Sequence, residues 1–246
     1  MTNDAPATPQ QSAAPSSGWS WFRFTRNAVI IAAVVGLGAW YGVVGVYPNI
    51  VPKNFGVVEE GVLYRAGRLT PAATAKVVER HGIRTIVDLG GWDRLPKAHA
   101  RAVRTAESLG VRRVDLPLIG DARGDPNRYA EALRIIEDPA NQPVLVHCAA
   151  GSERTGCLVG LFRIRHDGYT VEDVMAESQT FRHDPQKNPN MRTMLETWSG
   201  AVFESVETGV AISYEGDIND AIPVAGLEDD EIGRPPSDSD ADGPTP

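Results

Sequence analysis

His147-Cys148-Ala149-Ala150-Gly151-Ser152-Glu153-Arg154-Thr155-Gly156 decides how this chain is read. An apolar run, Val144-Leu145-Val146, precedes it, and a second, from Cys157 to Phe162, follows it. That order predicts a buried strand, a tight loop and a helix. A loop that opens a helix turns several unpaired backbone N–H groups toward one point, and the helix dipole adds partial positive charge there. Such a cradle fits a tetrahedral oxyanion, phosphate above all. Here the cradle begins at a thiol and ends at a guanidinium. Donors that hold phosphate also favour the anionic form of the Cys148 sulfur, which puts a nucleophile inside an anion site.

The five residues between Cys148 and Arg154 are enough for one turn of backbone around a phosphate. Ala149, Ala150, Gly151, Ser152 and Glu153 are therefore the substrate-binding backbone, and Arg154 closes the loop with a bidentate grip that lysine cannot make. Gly151 lets the chain turn an N–H inward, and Gly156 permits close packing beneath the loop. Thr155 brings a hydroxyl, and His147 orders the loop through backbone hydrogen bonds. A cysteine after a buried strand is often only a small core residue, and an arginine at a helix start is often solvated. The two together, with both glycines, point to catalysis.

At these residues the chain resembles the cysteine-dependent protein tyrosine phosphatase superfamily. Its signature, HCxxGxxR followed by Ser or Thr, is matched at His147, Cys148, Gly151, Arg154 and Thr155. The wider stretch 143–181 is similar to the compact atypical dual-specificity phosphatases of plants, fungi and bacteria. Gly61-Val62-Leu63-Tyr64-Arg65-Ala66-Gly67-Arg68 resembles the start of that domain. The resemblance covers residues 54–200. It implies hydrolysis of phosphate monoesters, on phosphotyrosine or dual-specificity phosphoproteins, through a phosphocysteine intermediate and with no metal or organic cofactor. Two alternatives stand beside it: an inositol phosphate or phosphoinositide phosphatase, and a phosphate-binding module without catalysis.

The superfamily draws its general acid from an aspartate on a loop roughly 30 residues before the cysteine. Asp121, in Leu118-Ile119-Gly120-Asp121-Ala122-Arg123-Gly124-Asp125-Pro126, is the first choice. Asp125 is the rival, although its place before Pro126 also suits a helix cap. Asp115 falls within a strand pattern and reads as structural. Ser152 and Glu153 are expected to face outward, where relatives acting on inositol phosphates carry Lys or His. A carboxylate at the rim would repel a highly charged substrate, which counts against the inositol alternative. Arg65 and Arg68 are expected to hold the start of the domain through ion pairs. Cys157 reads as core packing, or as a partner for oxidised Cys148. His183, Lys187 and Arg192 are candidates for the pocket mouth.

The 246 residues carry a net charge of −8, which argues against nucleic acid as a partner. Two cysteines form no disulfide framework, and neither Cys nor His is spaced as a zinc site. An uncharged run of about 19 residues starts at Ala28 and ends at Val46, close to the ~20 that span a bilayer. Trp19, Trp21, Phe22 and Phe24 precede it, and Trp40, Tyr41 and Tyr47 stand near its far end, as in interfacial belts. With no small-x-small cleavage site after the run, an uncleaved signal anchor is expected. Arg23 and Arg26 before the run favour a cytoplasmic N-terminus, and hence a single-pass protein whose catalytic domain is extracytoplasmic.

The expected organisation is a disordered segment at 1–26, a transmembrane helix at 27–47, a phosphatase domain at 48–205 and an acidic disordered tail at 206–246. Within the domain, apolar runs at 61–65, 83–89, 111–118 and 144–147 read as strands. Stretches 70–81, 97–109, 126–136, 154–166 and 189–198 read as helices, and Thr170-x-x-Asp173 as a capping box for one more. This alternation predicts an α/β fold, a mostly parallel central sheet flanked by helices and, on the resemblance, tyrosine-phosphatase-like.

Overall fold

The structure is a computed structural model that describes residues 18–92 and 95–214. It divides into two units, one ending at Gly45 and one starting at Val46. In the first, helix α1 (Gly18–Tyr41) is continued by π-helical backbone at Gly42–Val46. The second begins with a short helix, α2 (Tyr47–Ile50). From Thr25 to Ile50 the helical run is 26 residues long with a mean hydropathy of 2.2. Val29, Ile31, Val35 and Leu37 are all exposed along it. A helix apolar on every side suits lipid rather than water, and a signal sequence near an N-terminus has the same length and composition. The helix already includes residues 18–26, assigned above to a disordered segment, and helical backbone runs on to Ile50, past the expected helix end at residue 47.

In the second unit the elements alternate: β1 (Gly56–Glu59), β2 (Leu63–Ala66), α3 (Pro71–His81), β3 (Thr85–Asp88), α4 (Pro96–Ser108), β4 (Arg112–Asp115), α5 (Pro126–Glu137), β5 (Val144–His147), α6 (Glu153–Asp167), α7 (Val171–Thr180) and α8 (Asn190–Thr208). The sheet order is β1-β2-β5-β3-β4, parallel throughout except for the β1–β2 pair. β1 was not expected. It is a four-residue edge strand with a register shift between Val57 and Glu59, too short for an alternating pattern to show.

Adjacent strand residues face opposite layers, and both layers are covered. Leu63, Val87, Val144 and Val146 join Leu133, Ile136, Leu158, Leu161 and Met191 on the side of α5, α6 and α8. Tyr64, Ile86 and Leu145 join Ala73, Val77 and Ala106 on the side of α3 and α4. β5 lies in the middle of the sheet and is buried on both faces, hence its unbroken apolar sequence.

Local sequence sets the helix starts. Thr70 caps α3 by accepting from Ala73 N–H, with Pro71 behind it. Thr170 and Asp173 form the reciprocal capping box of α7. α8 runs well beyond residue 198, and the ordered chain goes past 205. Ile212 N–H donates to Asn127 Oδ1 at 2.7 Å, and Tyr214 packs edge-on to Trp198. Residues 215–246, most of the expected acidic tail, and residues 1–17 lie outside the described residues.

α6 carries the loop that decides the fold, and Gly160 lets α7 approach it. A Cβ at Gly160 would sit 2.4 Å from Val174 Cγ1, whereas the nearest atom to one at Gly156 would be the flexible Met191 sulfur at 3.3 Å. Gly160→Ala is expected to lower unfolding stability by about 1–3 kcal/mol despite the better helix propensity of alanine. Gly156→Ala should cost less. Urea denaturation of the two variants checks the ranking.

Candidate active site

Three successive carbonyls of the 148–152 loop are tied away from its centre. Arg68 N–H donates to Ala149 O at 3.2 Å. Asn54 Nδ2 donates to Ala150 O at 3.3 Å and to Phe181 O at 2.9 Å. Arg65 Nη2 donates to Gly151 O at 2.8 Å. Each peptide N–H lies opposite its carbonyl, so amides of residues 150–152 turn inward, the arrangement of an anion nest. Gly151 shows the consequence: its N–H donates to Cys148 Sγ at 3.2 Å. Its φ of 79° is a left-handed value, and a Cβ there would lie 2.5 Å from Gly67 N. Gly67 is tight for the same reason, since a Cβ on it would meet Ala150 O at 2.7 Å.

Arg65 does not serve an ion pair, as had been expected. It is fully buried, its guanidinium lies 3.7 Å from the centre of the Phe181 ring, and its hydrogen bond goes to the loop. Burial pulls it down to about 10, partly opposed by the fields of Glu177 and Cys148, so it is charged at neutral pH. Arg68 likewise pairs with no carboxylate among the described residues; its guanidinium stands 5.5 Å from the Trp92 ring.

Arg154 is buried and links the strand ends. Its Nη1 donates to the carbonyls of Leu89, Gly90 and Leu118, at 2.9, 2.6 and 3.0 Å. The segments after β3 and β4 thereby fix the plane of the guanidinium fork at the end of the cradle. Thr155 is fully buried, and its hydroxyl has no hydrogen-bond partner among the described residues.

Ser152 and Glu153 are buried rather than outward-facing. His183 Nδ1 lies 2.7 Å from Glu153 Oε2, and Asn188 Nδ2 donates to Oε1 at 3.4 Å. The Glu153 carboxylate thus meets His183 and Asn188 instead of standing outward at the rim, where the repulsion of polyanionic substrates had been placed. Lys187 pairs with Asp184, and Arg192 with Glu172 and Glu196, all through side chains partly or largely exposed, so these two are engaged elsewhere.

Of the two acid candidates, Asp125 is the α5 cap, accepting from Asn127 N–H at 2.9 Å. Asp121 stands three residues beyond the Leu118 carbonyl that Arg154 holds. Its Oδ2 accepts from Arg123 Nε at 2.8 Å and from Asn190 Nδ2 at 3.0 Å. Asn190 had given no sign in sequence, because it comes from the start of α8, far along the chain. Asp115 is structural, pairing with Arg113 at 2.9 Å and His99 at 3.0 Å. Asp88, His99 and Asp115 come together, but Arg113 pairs with both carboxylates and supplies the positive charge there.

Cys157 is fully buried, and burial pushes its thiol up to about 12, against a hydrogen bond with Tyr129. It reads as core. His147 is also buried, with Nδ1 3.5 Å from Cys148 O and 3.7 Å from Asp88 Oδ1. Burial pulls its imidazole down, against the field of Asp88 and together with that of Arg113.

A thiol beneath inward-turned amides, with an arginine locked across the strand ends, is the arrangement expected of a cysteine-dependent phosphatase. Residues 49–195 match the family model described as a DSP-PTPase phosphatase fused to NAD+ kinase. The chain belongs to this family, in the atypical dual-specificity branch of the tyrosine phosphatase superfamily. It is 30% identical to inositol diphosphatase DSP1 of Oryza sativa subsp. japonica over 149 residues, 59% of this chain and 64% of that protein. It thus spans less than two thirds of that relative. It is 30% identical to inositol diphosphatase DSP2 of the same plant over 170 residues, 67% of this chain and 78% of that protein. The core catalytic domain of the PP-IP phosphatase SIW14 from S. cerevisiae, crystallised with citrate, shares the fold. Its TM-score is 0.53 at 23% identity, covering 65% of this chain and 95% of that one.

Two outcomes follow from the geometry. Arg65→Leu frees the Gly151 carbonyl and should weaken tungstate binding about 10-fold or more, as loss of a charge-assisted hydrogen bond does; calorimetry measures it. His147 takes a proton more readily unfolded than folded. Stability should therefore be constant above about 6.5, its ordinary value, and fall as pH drops below it. Denaturation midpoints across that range should flatten in His147→Gln.

Proposed function

We propose that the protein hydrolyses the phosphoanhydride of an inositol pyrophosphate through a phosphocysteine intermediate. The observation that carries this reading is the tethering of Asp121 by Arg123 and Asn190. An alkoxide leaving group needs a proton donor, whereas a phosphate leaves as a stable anion and needs none. A carboxylate held in an ion pair suits the second case. The inositol diphosphatases among the relatives support it, as does the Glu153 carboxylate engaged behind the loop.

In this mechanism the Cys148 sulfur attacks the terminal phosphorus. The S–P bond forms, the bridging P–O bond breaks, and its electron pair goes to the departing phosphate. The backbone N–H groups of 149–153 and Arg154 stabilise the equatorial oxygens. Asp121 then acts as base: it takes a proton from water as that water attacks phosphorus, and the S–P bond breaks to release orthophosphate and the thiolate. The chain's own groups carry every step.

A second reading, phosphotyrosine or dual-specificity phosphoprotein, is favoured by the loop Ala149-Ala150, which offers no cationic side chain to a polyanion. Cys148→Ser is expected to bind substrate and turn over none. Asp121→Asn should release the first product in a burst and then stall, with steady turnover down about 100-fold or more; Asp125→Asn should lose stability instead. Inositol pyrophosphate should turn over at least ~100-fold faster than a phosphoserine peptide, whose leaving group needs the missing acid. Equal rates on the two would sink the anhydride reading, and a clear preference for phosphotyrosine peptide would favour the second.

The same proposal includes the anchor. The apolar helix holds the protein in a membrane as a single pass, N-terminus cytoplasmic, catalytic domain on the other side. In sealed inverted vesicles a protease should cleave the domain only after detergent is added; cleavage beforehand reverses the topology.

A further inference from the structure

Between α3 and α4 runs a groove of about 250 Å³ that no step of the mechanism uses. Both of its walls grow out of the catalytic loop's supports. On one side Arg68, whose N–H holds Ala149 O, leads through Leu69 to Thr70 and Pro71 at the start of α3. On the other, Trp92 follows Gly91, where a Cβ would lie 3.2 Å from the Cys148 carbonyl carbon. The groove therefore opens beside the cradle.

Its donors are unspent. Arg68 is half-buried and Arg101 is exposed on α4, and neither pairs with a carboxylate among the described residues. The Trp92 indole N–H is buried and has no hydrogen-bond partner there. The threonines, by contrast, are occupied: Thr74 donates to Thr70 O and Thr105 to Arg101 O. Two guanidinium-bearing residues thus line the groove together with the apolar Leu69, Pro71, Ala98 and Ala102. A ligand fitting this set has anionic groups at its edge and a C–H framework between them.

We infer that this groove is the leaving-group subsite, where Arg68 and Arg101 hold ring phosphates of a polyphosphorylated inositol. The inference rests on the inositol reading and deepens it. The cradle takes the phosphoryl group to be transferred. The groove takes the remainder of the molecule, laying the ring against apolar side chains while guanidinium groups meet its outer phosphates. Polyanion specificity then comes from Arg68 and Arg101, outside the signature loop, and a loop with Ala149 and Ala150 suffices for the reacting phosphate.

Inhibition tests it apart from turnover. With the full-length chain in detergent and an aryl phosphate as substrate, Ki is measured for inositol hexakisphosphate and for orthophosphate. Arg101→Ala should raise the inositol hexakisphosphate Ki about 10-fold, Arg101→Glu further, and Arg101→Lys much less. The orthophosphate Ki, which needs only the cradle, should move much less in each case. Parallel shifts of both constants, or no shift in the first, overturn the subsite, as does a wild-type chain that inositol hexakisphosphate fails to inhibit. If the expected Ki pattern appears while inositol pyrophosphate is not hydrolysed, the subsite stands and the proposed substrate falls.

Discussion

Three carbonyls pointing the wrong way for an anion make this site. Ala149, Ala150 and Gly151 each give their carbonyl to a donor behind the loop: a backbone N–H, an asparagine amide and a buried guanidinium. Because the peptide plane is rigid, fixing the carbonyls fixes the amides on the other side. The cradle is thus preorganised by donors that meet the loop's carbonyls rather than the anion. Much of the local oddity follows from this. Gly67 and Gly151 lack side chains because the two backbones pass within a distance no Cβ would permit. Arg65 is accommodated in the core because its hydrogen bond and its stacking on Phe181 offset the cost of desolvation.

Arg154 couples this loop to the rest of the sheet. By donating to carbonyls after both β3 and β4, it ties two strand ends to one guanidinium. A parallel α/β sheet offers its carboxyl ends as a crevice, and here that crevice is held by the Arg154 side chain. The carboxylates nearby are managed in the same spirit. Glu153 is engaged by His183 and Asn188, Asp121 by Arg123 and Asn190, and Asp125 by the start of α5. Acidic side chains near the cradle are therefore drawn into contacts with the protein itself.

The parallel sheet, the helix caps and the strand–loop–helix around Cys148 were legible because each is written in neighbouring residues. Thr70-Pro71, Thr170-x-x-Asp173 and the 144–147 run act over a few positions, and local physics decides them. The errors had a different origin. Glu153 was assigned to the rim because its partner His183 lies on a segment that only the fold brings near. Arg65 was given an ion pair because a buried guanidinium bound to a carbonyl leaves no periodic trace. β1 was missed because an edge strand of four residues with a register shift shows no alternation. Asn54 and Asn190 were invisible as supports for the same reason as His183: their partners, Ala150 and Asp121, are remote in sequence.

The two cysteines separate burial from reactivity. Both are almost wholly out of water. Cys157, on α6 beside Tyr129, meets a hydroxyl and apolar side chains, and burial pushes its thiol up to about 12. Cys148 meets the Gly151 N–H at 3.2 Å within a loop whose other amides turn the same way. Desolvation alone disfavours a thiolate, and oriented donors favour it. The two cysteines, nine positions apart on one strand–loop–helix unit, thus differ in where the neighbouring peptide dipoles point. That direction is imposed from behind by Arg65, Asn54 and the Arg68 amide, none of them part of the signature that first drew attention to the loop.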